Sequence, residues 1–181
     1  MESLRGQLLI ATPVIVDPNF RRTVVLVAEH TEEGAMGLVL NRPSETLVSD
    51  AVPPLQELVD EGEPVYVGGP VEPSAVVVLA EFDDPEEAGS IVVGNVGFVV
   101  AEGDEAPVST PSLQRSRVYA GYAGWSAQQL EDELEEEAWF LEPALPEDAF
   151  ADPEALRSAV LRRKGGEYSV IAMMPNDPSV N

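Results

Sequence analysis

The run Thr23-Val24-Val25-Leu26-Val27-Ala28 constrains this chain more than any other feature. Successive side chains of a strand point to opposite faces, so a nearly unbroken apolar, β-branched run leaves no face for water. A strand built from it must be covered on both sides. Similar stretches bounded by Gly or Pro recur, and the spacing predicts strands over Gln7–Ala11, Thr23–Glu29, Met36–Asn41, Val65–Val67, Ala75–Ala80, Val96–Val100, Arg117–Tyr122 and Tyr168–Met173.

Helical signals are fewer. Leu55, Leu58 and Val59 follow Pro53-Pro54 and predict a short helix ending near Gly62. Ser126 with Gln129 three residues on is a capping-box pattern and predicts a helix to Ala138. A third helix is expected from Asp152, with Pro153 in its first position, to Arg162-Arg163-Lys164 and a stop at Gly165-Gly166. Strands outnumber helices and do not alternate with them regularly. The expected class is therefore α+β, a mixed and mostly antiparallel sheet flanked by a few helices, in one domain over residues 1–181. The chain contains no 18-residue apolar run, and the apolar stretch after Met1 is short and lacks a basic flank. A cytoplasmic protein without membrane association is expected. The chain has no cysteine, which excludes disulfides, thiolate catalysis and cysteine-ligated metals.

Thirty-three acids oppose ten bases, for a net charge of −23. Residues 43–114 and 118–156 contain no Lys or Arg, whereas residues 1–42 carry four of the ten bases. Nucleic-acid binding needs a basic stripe that displaces phosphate counterions, so direct binding is disfavoured. The same field favours basic protein partners or divalent cations. Within Glu131–Glu137 like charges recur at i, i+4, and the Arg157–Lys164 cluster is one candidate to offset them.

His30 is the one histidine. It reads first as a structural histidine bonded to backbone or carboxylate near a turn, and otherwise as a general base or a ligand beside Glu29. Asp17-Pro18-Asn19 reads as turn chemistry. Arg21 and Arg22 read as internal ion pairs or as an anion contact. Gly34–Gly37, Gly68-Gly69 and Gly121–Gly124 read as turns or close backbone approaches. Trp125 reads as a core anchor. No phosphate loop, dinucleotide fingerprint or nucleophile elbow is present.

Taken together, several motifs resemble the AlgH/YqgE family of bacterial proteins along nearly the whole chain. They are Gly6–Pro13, Asp17–Phe20 with Arg22-Thr23-Val24, Glu29-His30, Gly34–Pro43, Val67–Val71, Gly121–Trp125, Gln129-Leu130-Glu131 and Pro175–Asn181. In the family pattern a Gly stands where this chain has Gln128, and a Trp stands near Ala155. Both changes are expected to be tolerated in a helix. The resemblance implies an α/β structure around a mixed sheet. Some members are labelled transcriptional regulators, and the resemblance transfers no catalytic residue and no cofactor.

The resulting expectation is a non-enzymatic regulatory or interaction domain that acts through a protein partner, with no cofactor and no metal. Its candidate surface comprises Asp17, Asn19, Arg22, Glu29, His30, Asn41, Arg42, Tyr122 and Trp125. One alternative is a small-molecule- or metal-binding enzyme, which requires Asp17, Glu29, His30, Arg22 and Arg42 to converge in one pocket. Another is a structural protein without a ligand.

Overall fold

A computed structural model of the chain describes residues 2–100 and 111–173, so the Pro175–Asn181 motif lies outside the described residues. The described residues form ten strands: β1 Gln7–Ala11, β2 Val24–Thr31, β3 Gly34–Val39, β4 Pro43–Leu47, β5 Pro64–Val67, β6 Val71–Phe82, β7 Ser90–Val93, β8 Val96–Phe98, β9 Leu113–Ser126 and β10 Trp139–Pro143. The helices are α1 Val48–Ala51, α2 Gln129–Glu135, α3 Leu156–Lys164 and α4 Glu167–Ala172, with 3-10 turns at Pro53–Leu58, Pro85–Glu87 and Pro146–Phe150. The strands form one sheet in the order β10-β1-β2-β3-β9-β6-β8-β7, with β5 beside β9 and β4 beside β5. Every pairing is antiparallel except β5 with β9, as the expected mixed sheet requires.

The Val24–Ala28 run is buried throughout and divides two cores. Val24 and Leu26 join Leu8, Ile10, Leu38 and Leu40 beneath α3 and α4. Val25 and Val27 join Leu9, Val39, Trp125, Leu130 and Trp139 beneath α2. A third cluster gathers Val48, Val52, Leu55 and Leu58 over Val65, Val78 and Val118.

In the α2 core, Phe20 and Trp125 flank Trp139, and the two indoles are edge-on at 6.2 Å. Both indole N–H groups donate to Glu133 Oε1, at 3.2 Å from Trp125 and 3.0 Å from Trp139. Gln129 donates to the other oxygen of the same carboxylate. The acidic helix is therefore relieved from within, since its inward carboxylates accept hydrogen bonds and Glu135–Glu137 face water. Arg157, Arg163 and Lys164 bond elsewhere, to Ala11, Pro143, Asp148 and Leu141.

Several expectations are corrected. Tyr168–Met173 is not a strand. Gly165 and Gly166 adopt φ of +82° and +58°, turning the chain so that α4 lies back along α3. Tyr168, Ile171 and Ala172 then pack together on the α3 core, an i, i+3, i+4 spacing that β-branched neighbours obscure. The predicted helix over Ser126–Ala138 shortens to Gln129–Glu135, because Ser126 remains in β9. Half of the capping pattern survives, with the Ser126 N–H donating to Gln129 Oε1 at 3.0 Å. Gln128 precedes the helix with φ +69°, a left-handed backbone in which glycine is unstrained, so this substitution does not fall within a helix. α3 begins at Leu156, after an Asp152 turn whose carboxylate accepts the Glu154 N–H.

β3 and β9 pair only over Gly34–Gly37 and Ala123–Ser126. Beyond that they diverge, and the end of β5 enters the gap. The Gly68 N–H donates to Ala120 O, and Gly68 O accepts the Val39 N–H. The crossing is too close for side chains. A Cβ on Gly121 would sit 2.3 Å from Gly69 O, at φ +76°, whereas one on Gly124 meets nothing nearer than 3.6 Å. Gly121→Ala is expected to lose at least about 3 kcal/mol in urea unfolding, and Gly124→Ala to stay within ~1 kcal/mol of the parent. Gln128→Gly is expected to gain about 1 kcal/mol, raising Tm by roughly 2–4 °C in calorimetry.

Candidate functional site

The nine candidate residues separate along β2. Asp17, Asn19, Arg22, Asn41 and Arg42 lie where β2 begins, and Glu29, His30, Tyr122 and Trp125 lie toward the opposite end. Arg22 and His30 are eight residues apart along an extended segment, roughly 25 Å at strand rise. Asp17, Arg22 and Arg42 therefore do not share a pocket with Glu29 and His30. Among the described residues, no three His, Asp or Glu side chains form a metal-ligating group.

At the first end, the polar side chains hold a loop. Asp17 Oδ1 accepts the Asn19 N–H at 2.9 Å, the turn chemistry its sequence suggests. Asn41 accepts the Val24 N–H through Oδ1 and donates to Arg22 O through Nδ2. Arg42 donates to Pro18 O at 2.9 Å and to Arg21 O at 2.7 Å. Burial lowers the Arg42 pKa, and burial followed by the Arg21 charge lowers that of Arg22. Arg22 precedes the strand with φ +59°, so the two arginines do not alternate across a sheet. At the other end of the loop, Thr12 Oγ1 donates to Glu137 O and the Thr12 N–H donates to Ala138 O. Ile15 and Phe20 turn inward onto the α2 core, leaving Val14 and Val16 outside at 70% and 78% exposure. The sequence reading missed these two valines. Their signal is the order Val14-Ile15-Val16 between Pro13 and Asp17, too short to bury on both sides.

At the second end, a bulge decides which way each residue faces. Val27 pairs with Gly37 but Glu29 pairs with Met36, so Ala28 is extra and the alternation reverses. His30 turns toward α2, with its side chain 1% exposed. Its Nδ1 accepts the Leu4 N–H at 2.9 Å, which puts the ring proton on Nε2, and Nε2 donates to Glu131 Oε1 at 3.1 Å. Both ring nitrogens are occupied, which matches the structural reading of His30. Trp125 is buried, as a core anchor should be.

Glu29 faces the other way. With Met36, Val77, Ser90, Phe98 and Tyr122 it lines a groove of about 500 Å³. A second hollow, of about 390 Å³, sets Glu57, Asp60 and Glu63 near Arg115 and Arg117. Both arginines have partners already. Arg115 pairs with Glu81 at 3.0 Å, and Arg117 donates to the carbonyls of Ala149, Phe150 and Ala151 while stacking 4.7 Å over Tyr66.

The chain is similar to known proteins along nearly its whole length. The AlgH-like family model (DUF179) matches residues 8–169. A UPF0301 protein of Thermobifida fusca is 42% identical over 190 residues, covering 99% of this chain and 96% of that protein. A UPF0301 protein of Streptomyces coelicolor is 39% identical over 188 residues, covering 100% and 97%. The solution structure of the AlgH protein from Pseudomonas aeruginosa superposes with a TM-score of 0.70 at 32% identity, covering 96% of this chain and 95% of that one. A crystal structure from Corynebacterium diphtheriae, at 24% identity with a TM-score of 0.80 and covering 96% and 93%, shares the fold. The chain belongs to the AlgH-like, UPF0301 family.

Proposed function

We propose that this chain is a non-enzymatic, cytoplasmic interaction domain, and that it docks a protein segment whose apolar side chains are flanked by basic ones. The observation that carries this reading is the Thr12–Thr23 loop, which presents Val14 and Val16 to solvent on a backbone fixed by side-chain hydrogen bonds. A loop ordered in advance loses little entropy on binding, and an apolar tip supplies the buried area. Its surroundings define the partner. Thr12 is bonded to the main chain of Glu137 and Ala138, which joins the base of the loop to the end of the exposed acidic run, and Asp17 is exposed within the loop, while Arg21 and Arg22 stand at its far end. A second copy carrying −23 would be repelled, as would a phosphate backbone. A regulatory effect on transcription would then pass through the bound protein.

The first test uses a synthetic 12-residue peptide of alternating Leu and Lys, titrated into the purified chain and into Val14→Asp/Val16→Asp. Docking through the tip predicts about tenfold weaker binding to the variant, the loss of roughly 1.4 kcal/mol of apolar contact. Charge attraction alone predicts equal or tighter binding, since the variant is more acidic, and that result overturns the proposal. Tight, specific and salt-sensitive DNA binding by the pure chain in a gel-shift assay overturns it as well. The second test concerns order. Arg42→Ala removes the bonds to Pro18 O and Arg21 O, and amide exchange across residues 14–22 is expected to accelerate at least about tenfold, with β1 and β6 unchanged.

A further inference from the structure

We propose that the groove between the β2–β3 hairpin and β6–β8 binds a small organic cation with an apolar body, such as an alkyl or aryl amine. The site is independent of the Val14–Val16 tip and lies toward the opposite end of β2. Its volume of about 500 Å³ falls within the range of small-molecule sites.

The walls are apolar. Val77, Phe98 and Tyr122 rest their inner sides on the α3 core and leave their outer sides to the groove, and Met36 contributes a flexible thioether. Two groups define the ligand. Glu29 is exposed and makes no hydrogen bond or ion pair with any described residue, so its carboxylate is available at the rim. Tyr122 offers an aromatic ring and a hydroxyl that also makes no hydrogen bond with a described residue. A carboxylate beside aromatic rings is the arrangement that recognises an ammonium group, by charge and by cation–π attraction.

The nearby positive charge is Arg5, whose bonds to neutral acceptors fix the guanidinium in place without cancelling its charge. Its Nε donates to Ala28 O at 2.9 Å, and its Nη2 donates to Ser90 Oγ and Ile91 O. The field of a chain at −23 further concentrates cations at the surface. The β2 bulge is what puts the carboxylate here. Without the extra Ala28, the alternation that carries Val25 and Val27 toward α2 would carry Glu29 there too, against the acids of that helix.

The test compares hexyltrimethylammonium with hexanesulfonate, each titrated into the purified full chain by calorimetry or ligand-observed NMR. Saturable binding of the cation, without saturation by the sulfonate, is expected. Glu29→Gln should weaken the cation about fivefold, as fits a partly exposed charge pair, and Glu32→Gln at the hairpin turn should leave it unchanged. Met36→Trp, checked for a parental melting profile, should fill the groove and abolish binding. The proposal is overturned if neither probe saturates, if both bind alike, or if Glu29→Gln and Glu32→Gln behave identically.

Discussion

Long-range joints in this structure depend on bonds from cationic side chains to neutral main-chain carbonyls. Arg5, Arg42, Arg117, Arg157, Arg163 and Lys164 all make them. A hydrogen bond from a charged donor contributes about 1.5–3 kcal/mol, more than an exposed ion pair. Arg157 ties α3 to Ala11 O across 146 residues. It does so at a cost, since its Nε and Nη1 are buried without a hydrogen-bond partner among the described residues and burial pushes its pKa down to about 10. At the two ends of the sheet path the same chemistry covers open carbonyls. Lys164 donates to Leu141 O and Arg163 to Pro143 O on β10, and Arg5 donates to Ile91 O on β7. An edge strand so covered is a poor template for pairing with another chain.

The fold was legible where burial alone dictates pattern. The Val24–Ala28 run requires cover on both faces, and the two cores on either side of it provide that cover. The pattern fails where strands are held by neighbours instead. β4, Pro43–Leu47, is mostly exposed and polar and forms because β5 lies beside it. β10 follows an acidic run and owes its place to β1. The glycine motifs read as turns or close approaches, and the crossing at Gly68, Gly69 and Gly121 is a close approach. Gln128 shows what one sequence conceals. A side chain in a left-handed position looks like an ordinary helix residue until the backbone angle is known.

The candidate site was legible only in part, for a related reason. Asn41, Arg42 and His30 stand out as polar residues without an evident core role, and Trp125 reads as a core anchor beside a glycine turn. In the fold they position backbone or fill the core, and the surfaces they support are formed by others. Which way Glu29 and His30 face could not follow from alternation, because one extra residue at Ala28 reverses it. The hairpin thus sends a carboxylate to one side and an imidazole to the other, two chemistries from adjacent positions.

The carboxylate of Glu133 has a consequence for optical measurements. The chain's two tryptophans both donate to it, and their rings lie 6.2 Å apart. All indole emission therefore originates from a single spot on the α2 side of the sheet. The α3–α4 layer on the other side carries no tryptophan, so its loosening would be nearly dark to indole emission. Circular dichroism follows both faces whereas indole emission follows only the α2 face, so coincidence of the two transitions would show that both faces melt together.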